Sequence, residues 1–186
     1  NGTLVSPEQA IAALPNIPGV NVPAAPSRLP LYDHGPDFDR GLVTEHPPKP
    51  IAGKEYIVQL PLVDADGNDL GGLRSPEIIA PVGTHSGWNV RKMGLGGGDL
   101  ASLAGSFIPF PRTKAQREET GDPRTSIEER YPTHAAYVNA VRAAAEGLVG
   151  QGFLLQEDVA RYVEAAQARN PLDESVALRP LVLPKS

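Results

Sequence analysis

Nine prolines fall between positions 15 and 50, namely Pro15, Pro18, Pro23, Pro26, Pro30, Pro36, Pro47, Pro48 and Pro50. Each removes a backbone donor and biases the preceding residue away from the α region, so neither a helix nor an inner strand can run through this stretch. Apolar Ile17, Val20, Val22, Leu29, Leu31, Tyr32, Phe38 and Val43 nevertheless punctuate it. That pattern describes an extended segment draped over another surface rather than a free linker. Only the start looks regular: Ser6-Pro7-Glu8-Gln9 has capping-box spacing with Pro at the first helical position, which predicts a short helix over 7–14 stopped by Pro15. Residues 1–55 read as an extended Pro-rich arm with one short helix.

The next region, 56–111, reads as a β-hairpin followed by a Gly-rich loop. YIVQLPLV at 56–63 is rich in β formers, and DADGND at 64–69 places a turn around Asp66-Gly67-Asn68, with Pro61 confining the first strand to an edge or bulge. A second apolar run at 78–82 reads as another short strand. Between 83 and 111 Gly alternates with apolar residues, which predicts little regular structure beyond a turn of helix at 99–104.

Residues 112–186 change character and read as helical. Thr113 with Gln116 and Ser126 with Glu129 have capping-box spacing and open short helices. Tyr137, Ala140, Val141, Ala144 and Leu148 recur at three- and four-residue steps, predicting a helix over 133–149 that Gly150 and Gly152 end. A further helix over 157–169 carries Val159, Tyr162, Val163 and Ala166 on one face and stops at Asn170-Pro171. The tail, 178–186, is extended. With 19 Gly and 20 Pro in 186 residues, much of the backbone belongs to ordered loops, which weighs against a complete doubly wound sheet. The fold class is α+β: Pro-rich arm, small hairpin or sheet and a C-terminal cluster of short helices, all one structural unit. Trp88, Phe107, Phe110, Tyr137, Leu148 and Tyr162 form the predicted core.

Charge narrows the function classes. A net charge of −5 without a basic stripe argues against nucleic-acid binding. No apolar run reaches the length of a membrane span. The absence of cysteine removes disulfides, thiolate metal sites and a thiol nucleophile, while leaving the compartment open, secreted or periplasmic included. Asn1 is not an initiator Met and no signal-like stretch follows, so the chain reads as a piece of something longer. Nor can Asn1 act as the N-terminal nucleophile of a self-processed amidohydrolase.

No motif supplies a catalytic serine. A nucleophile elbow would show as G-x-S-x-G. The nearest string, Gly83-Thr84-His85-Ser86-Gly87, lacks that order of glycines, and adjacent His85 and Ser86 would point apart on a strand. Asp33, His34, Asp37, Asp39, Glu45 and His46 crowd together without a metal-ligand spacing and read as turn-fixing residues beside Gly35-Pro36. Asp64, Asp66, Asn68 and Asp69 do not make a calcium loop, because Gly67 comes fourth and no Glu closes the loop. Gly94 to Gly98 lead into Asp99, an N-cap that would repel phosphate. No metal or other cofactor is expected. Five cations and five anions in 112–130 read as a salt-bridged surface, with Arg124 also able to form a buried bidentate pair with Asp122; His134 reads as helix-start packing.

Taken in order, NGTLVSPEQ (1–9), PLVDADGNDLGGLRSPEI (61–78), GTHSGWNVR (83–91), GSFIPFPRTKAQRE (105–118), GDPRTSIEERY (121–131) and GFLLQEDVARYVEAA (152–166) resemble the C-terminal region of the large α/β-hydrolase domain-containing proteins. This mostly bacterial group is related to ester and lactone hydrolases. The resemblance implies a later segment of a hydrolase whose nucleophilic Ser and catalytic His lie upstream of Asn1. Its implied partners are that N-terminal catalytic part of the same protein and a small ester-type substrate, and no catalytic residue is carried over. In the GT-x-x-GW string, His85 stands where the family has a small β-branched or aromatic residue, and Ser86 replaces what is often Thr.

Two readings follow. In the first, the chain completes and covers an ester-hydrolase active site, is inactive alone, and leaves a large apolar face exposed; in the second, it is a non-catalytic binding or structural module docking through its Pro-rich arm. For the first, Trp88, His85, Ser86, Asn89 and Arg91, flanked by glycines, suit the rim of a mainly apolar pocket. The alternative for that loop is Trp88 as a core anchor with His85 facing solvent.

Overall fold

The computed structural model describes residues 2–21, 29–91, 100–101 and 105–183. Strand β1 (Leu4–Val5) leads into helix α1 (Pro7–Ala13) through the expected capping box: Ser6 Oγ accepts from the Gln9 amide and Gln9 Oε1 from the Ser6 amide. The arm then differs from a featureless extension. Strands β2 (Pro30–Asp33) and β3 (Lys49–Glu55) pair antiparallel, with Tyr32 opposite Pro50 and an irregularity between Pro30 and Tyr32. A two-stranded ribbon gives every strand a free edge, so prolines that exclude an inner strand are tolerated. Strand β4 (Leu60–Pro61) pairs back onto β1.

The hairpin expected from 56–63 shrinks to β4 and a single bridge between Val63 and Asp69. Two local causes are visible. The Asp64 carboxylate turns inward to accept the Asp66 and Asn68 amides, both at 3.0 Å, tightening the turn. Beyond Asp69 come Gly71 and Gly72, the latter with φ +77°, and Ser75-Pro76, which together end any second strand. The run at 78–82 is correspondingly not a strand. It begins as helix α2 (Pro76–Ile79), because Pro76 occupies the first helical turn with Glu77 beside it, and it ends by sending Ala80 and Val82 into the core.

The Gly-rich region holds more strand than its composition implies. Strand β5 (Gly83–Ser86) pairs antiparallel with β8 (Ser106–Pro109), His85 lying opposite Phe107, and β6 (Asn89–Val90) pairs with β7 (Leu100–Ala101). The helical turn expected at 99–104 is therefore replaced by strand at 100–101; its remaining positions, with Gly94 to Asp99, lie outside the described residues. Gly83 makes the β5–β8 approach possible, since a Cβ there would stand 2.6 Å from the Phe107 ring and 2.7 Å from the Ile108 carbonyl.

Four helices follow: α3 (Lys114–Thr120), α4 (Ile127–Arg130), α5 (His134–Gly150) and α6 (Gln156–Gln167). Thr113, Ser126 and Thr133 each cap the helix that follows, by accepting the amide three residues on. At α4 the box is complete, whereas Gln116 of α3 reaches past Thr113 to the Arg112 amide. The core lies where α5 and α6 meet α2, α4 and the β5–β8 pair, around Val82, Phe110, Ile127, Tyr137, Val141 and Ala166. Of the predicted core, Phe110, Tyr137, Leu148 and Tyr162 are buried, Phe107 packs against them half-buried and Trp88 is half-buried. Architecture and class agree with the α+β expectation. Among the described residues no helix is long and apolar enough to cross a membrane.

Candidate functional site

Strand β5 is held on both edges. One edge carries the β8 ladder; along the other, the fully buried Asn68 stands in for a strand, its Nδ2 donating to the Gly83 carbonyl at 3.3 Å and its Oδ1 accepting the His85 amide at 2.7 Å. The DADGND turn thus acts as a clamp. Asp64 pairs with Arg74 at 2.5 Å and Asp66 with Arg130, while the Thr84 hydroxyl donates to the Asp66 carbonyl.

Arg124 locks the same strand from below. Its five N–H donors are all engaged: Nε and Nη2 on Asp122 at 3.0 and 2.6 Å, Nη1 on Thr84 Oγ1 and the Ile108 carbonyl, Nη2 also on the Pro109 carbonyl. Burial pushes the Asp122 carboxyl up, but hydrogen bonds from Arg124 outweigh it and hold the group below its ordinary range. The Arg124 and Arg130 guanidinia both lie over the Phe110 ring, 5.2 and 4.5 Å from its centre. Elsewhere in 112–130 Arg117–Glu129 at 2.9 Å and the exposed Lys114–Glu118 form the expected salt-bridged surface, whereas Arg112 turns its guanidinium onto the Pro171, Asp173 and Val176 carbonyls.

A cavity of about 270 Å³ opens beside β5, walled by His85, Ser86 and Gly87 from the strand and by Asp69, Arg74, Leu73, Ile78 and Gly71 from the segment between the turn and α2. His85 packs edge-on against Phe107, ring centres 5.0 Å apart. Burial pulls its pKa below the ordinary histidine value despite the opposing charge of Glu77, so the ring is neutral at pH 7. Burial, then the neighbouring Asp64 charge, raises the Asp69 carboxyl. Among the described residues, Arg74 Nε and Glu77 Oε2, in the segment that leads into and opens α2, are buried without a hydrogen-bond partner.

Ser86 is not set up as a nucleophile. Its hydroxyl donates to the Trp88 carbonyl and shares a hydrogen bond with Ser106 Oγ at 2.7 Å, and no histidine bonds it. Of the residues read as a pocket rim, His85 and Ser86 line the cavity. Trp88, Asn89 and Arg91 follow Gly87 along the chain and are not among its walls: Trp88 is half-buried, Asn89 lies in β6 and Arg91 is exposed. Asp69 and Arg74 escaped the sequence reading because no spacing ties them to His85; only the fold closes the gap. A second hollow of about 610 Å³, between residues 2–4, Gln59, Pro61 and Gly71-Gly72, has no titratable side chain in its walls.

The other candidate clusters resolve into local structure. Asp33 Oδ1 accepts the Gly35 amide at 2.8 Å and His34 stacks on Phe38. His134 Nε2 meets the Ala166 carbonyl at 2.9 Å, tying the start of α5 to α6. Among the described residues no group of three or more His, Asp or Glu is placed to hold a metal ion.

Neither a curated protein nor a solved structure matches the chain. A family model described as an alpha/beta hydrolase domain matches residues 21–164, most of the chain, and the chain therefore belongs to the α/β hydrolase domain family.

Proposed function

We propose that this chain is the C-terminal segment of an ester or lactone hydrolase, completing and covering an active site whose serine nucleophile and catalytic histidine lie outside residues 1–186. The observation that carries this reading is the His85 cavity. It combines a neutral imidazole, a carboxylate and a guanidinium with apolar walls, on a strand clamped by Asn68 and Arg124, yet its one hydroxyl, on Ser86, is consumed by Trp88 and Ser106. Such a wall can orient and bind a substrate, but it has no activated nucleophile of its own. Past Gly87, Trp88, Asn89 and Arg91 extend the rim of the same pocket in the complete enzyme.

Exposed apolar side chains support the same reading over a free-standing module. Leu29, Tyr32, Phe38, Leu42, Tyr56 and Ile57 are all exposed on or beside the β2–β3 ribbon, Ile57 at 93%. A face of this kind is what the rest of the hydrolase would cover. The ribbon is thereby the docking arm, and the catalytic part of the same protein its partner.

A fluorophosphonate probe, which reacts with activated serines, tests the reading. In the natural polypeptide carrying these residues, the label is expected on a serine outside 1–186, and the 186-residue chain alone stays unlabelled. Label on Ser86, removed by Ser86→Ala, would overturn the proposal and make the Gly83-Thr84-His85-Ser86 strand the catalytic site.

A further inference from the structure

Resting on the hydrolase reading, in which Trp88 extends the pocket rim, we infer that Ser106 is a positioning residue for that rim. With Ser86 it forms a two-hydroxyl clasp on the Trp88 carbonyl, so that either serine alone holds Trp88 in place.

The clasp begins where the strand ladder stops. Ser86 ends β5 and lies directly opposite Ser106, the first residue of β8, so the two side chains leave the same face of the pair as cross-strand neighbours. Next come Gly87, exposed and with open space where a side chain would stand, and Trp88, which belongs to no strand. Glycine gives the backbone freedom to turn here, and the next paired residue, Asn89, belongs to the separate β6–β7 pair. The link from Trp88 back to β8 is made by serine hydroxyls. Ser86 Oγ donates to the Trp88 carbonyl, Ser106 Oγ lies 3.2 Å from the same oxygen, and the two hydroxyls are 2.7 Å apart.

Proton counting orders these contacts. Two hydroxyls bring two protons to three contacts, and the carbonyl has lone pairs for both. The two closest contacts are filled when Ser106 donates to Ser86 and Ser86 donates to Trp88, a short chain in which each bond polarises the next. The contact left over, from Ser106 to the carbonyl, is the longest of the three. It is also the reserve: without the Ser86 hydroxyl, the Ser106 proton turns to the Trp88 carbonyl. Ser86 thus has a task other than nucleophilic attack, and the serine opposite covers its loss.

Trp88 is the only tryptophan of the 186 residues, so its fluorescence reads the clasp. In the 186-residue chain, Ser86→Ala alone should leave the emission maximum and its quenching by acrylamide near the parental values. Adding Ser106→Val removes the last hydroxyl and should shift emission to the red and raise quenching. Adding Ser106→Thr instead, with the same β-branched shape and a hydroxyl, should restore the parental values. In the natural polypeptide, acting on a p-nitrophenyl ester, the Val variant should show a KM about two- to tenfold above that of the Thr variant, the equivalent of one hydrogen bond, at equal kcat. Equal fluorescence of the two variants, a full red shift already in Ser86→Ala, or equal KM would overturn the inference. If Ser86→Ala with Ser106→Val fails to fold, the Trp88 carbonyl ¹³C resonance of Ser86→Ala decides: it should move as the nearer donor gives way to the farther one, and an unmoved resonance overturns the inference. Fluorescence is read without turnover. Equal KM with serine labelling intact therefore removes this inference alone, and a natural polypeptide without any labelled serine removes the hydrolase reading.

Discussion

Arg124 forms a two-point ion pair with Asp122, only two residues earlier, and both side chains are buried, at 2% and 6% exposure. The pair does more than neutralise itself. Because Arg124 also holds Thr84 and the carbonyls of Ile108 and Pro109, it joins the α3–α4 connection to both strands of the β5–β8 pair.

Removing one partner leaves the other as an unpaired buried charge. Arg124→Ala or Asp122→Ala should therefore cost about 3–5 kcal/mol in urea unfolding. Arg124→Lys should recover little of it, since an ammonium cannot reproduce a five-donor fork. A loss below about 1 kcal/mol would show that the network adds nothing beyond surface pairing.

Asn68→Ala removes the edge that stands in for a strand beside β5 and leaves the Gly83 carbonyl and His85 amide buried without partners. The expected cost is about 1–3 kcal/mol for each group left unmet. Hydrogen exchange distinguishes this from general loosening: the His85 amide should exchange much faster while the amides of α5 keep their protection. Uniform acceleration would contradict the clamp.

His85 should titrate below the ordinary histidine value of 6.5. Its folded pKa is depressed, so the unfolded chain binds the proton more readily. The stability penalty is absent well above pH 6.5 and grows as pH falls from there through the folded pKa. Glu77→Gln, which removes a charge that favours the imidazolium, should move the midpoint lower still. An NMR titration of the ring resonances decides it; a midpoint above 6.5 would place the ring outside the cavity wall.

The α4 cap gives the acid side of the profile. Hydrogen bonds from the Ser126 hydroxyl and amide, then from Arg117, hold Glu129 down at about 2. A carboxylate with a depressed folded pKa stabilises the fold above its ordinary pKa, and that contribution fades as pH falls toward about 2. Glu129→Gln should flatten stability against pH over this window, and Ser126→Ala should cost roughly 1 kcal/mol at neutral pH as a lost N-cap. An unchanged acid limb in both variants would refute the assignment.

Helices and most caps were legible in the sequence because their signals are local: Ser6, Thr113 and Ser126 each announce a helix within four residues, and the Tyr137–Leu148 stripe shows which face is buried, while Thr133, read as the first helical residue, is the cap of α5. Strands were harder. Proline count hid β2 and β3, since an edge ribbon tolerates what an inner strand cannot, and glycines hid β5 and β8, whose close approach requires Gly83. The candidate cavity was half legible. His85 and Ser86, two of its walls, stand out through the unusual string around them, but Asp69 and Arg74 reach the cavity only through the turn that Asp64 and Asn68 fold, a contact with no spacing to betray it. The Arg124–Asp122 pair was readable as an option because the two lie close in sequence; its grip on Thr84 was not.

The central claim, that β5 walls the substrate pocket of a hydrolase without supplying its nucleophile, is tested most directly by steady-state kinetics of the natural polypeptide on p-nitrophenyl esters of short-chain acids. His85→Ala and Ser86→Ala are compared with the parent protein, with thermal midpoints measured alongside. His85→Ala should lower kcat/KM by at least about tenfold with the midpoint nearly unchanged, while Ser86→Ala retains turnover. Unaltered kinetics in His85→Ala, or abolished turnover in a folded Ser86→Ala, would contradict the account.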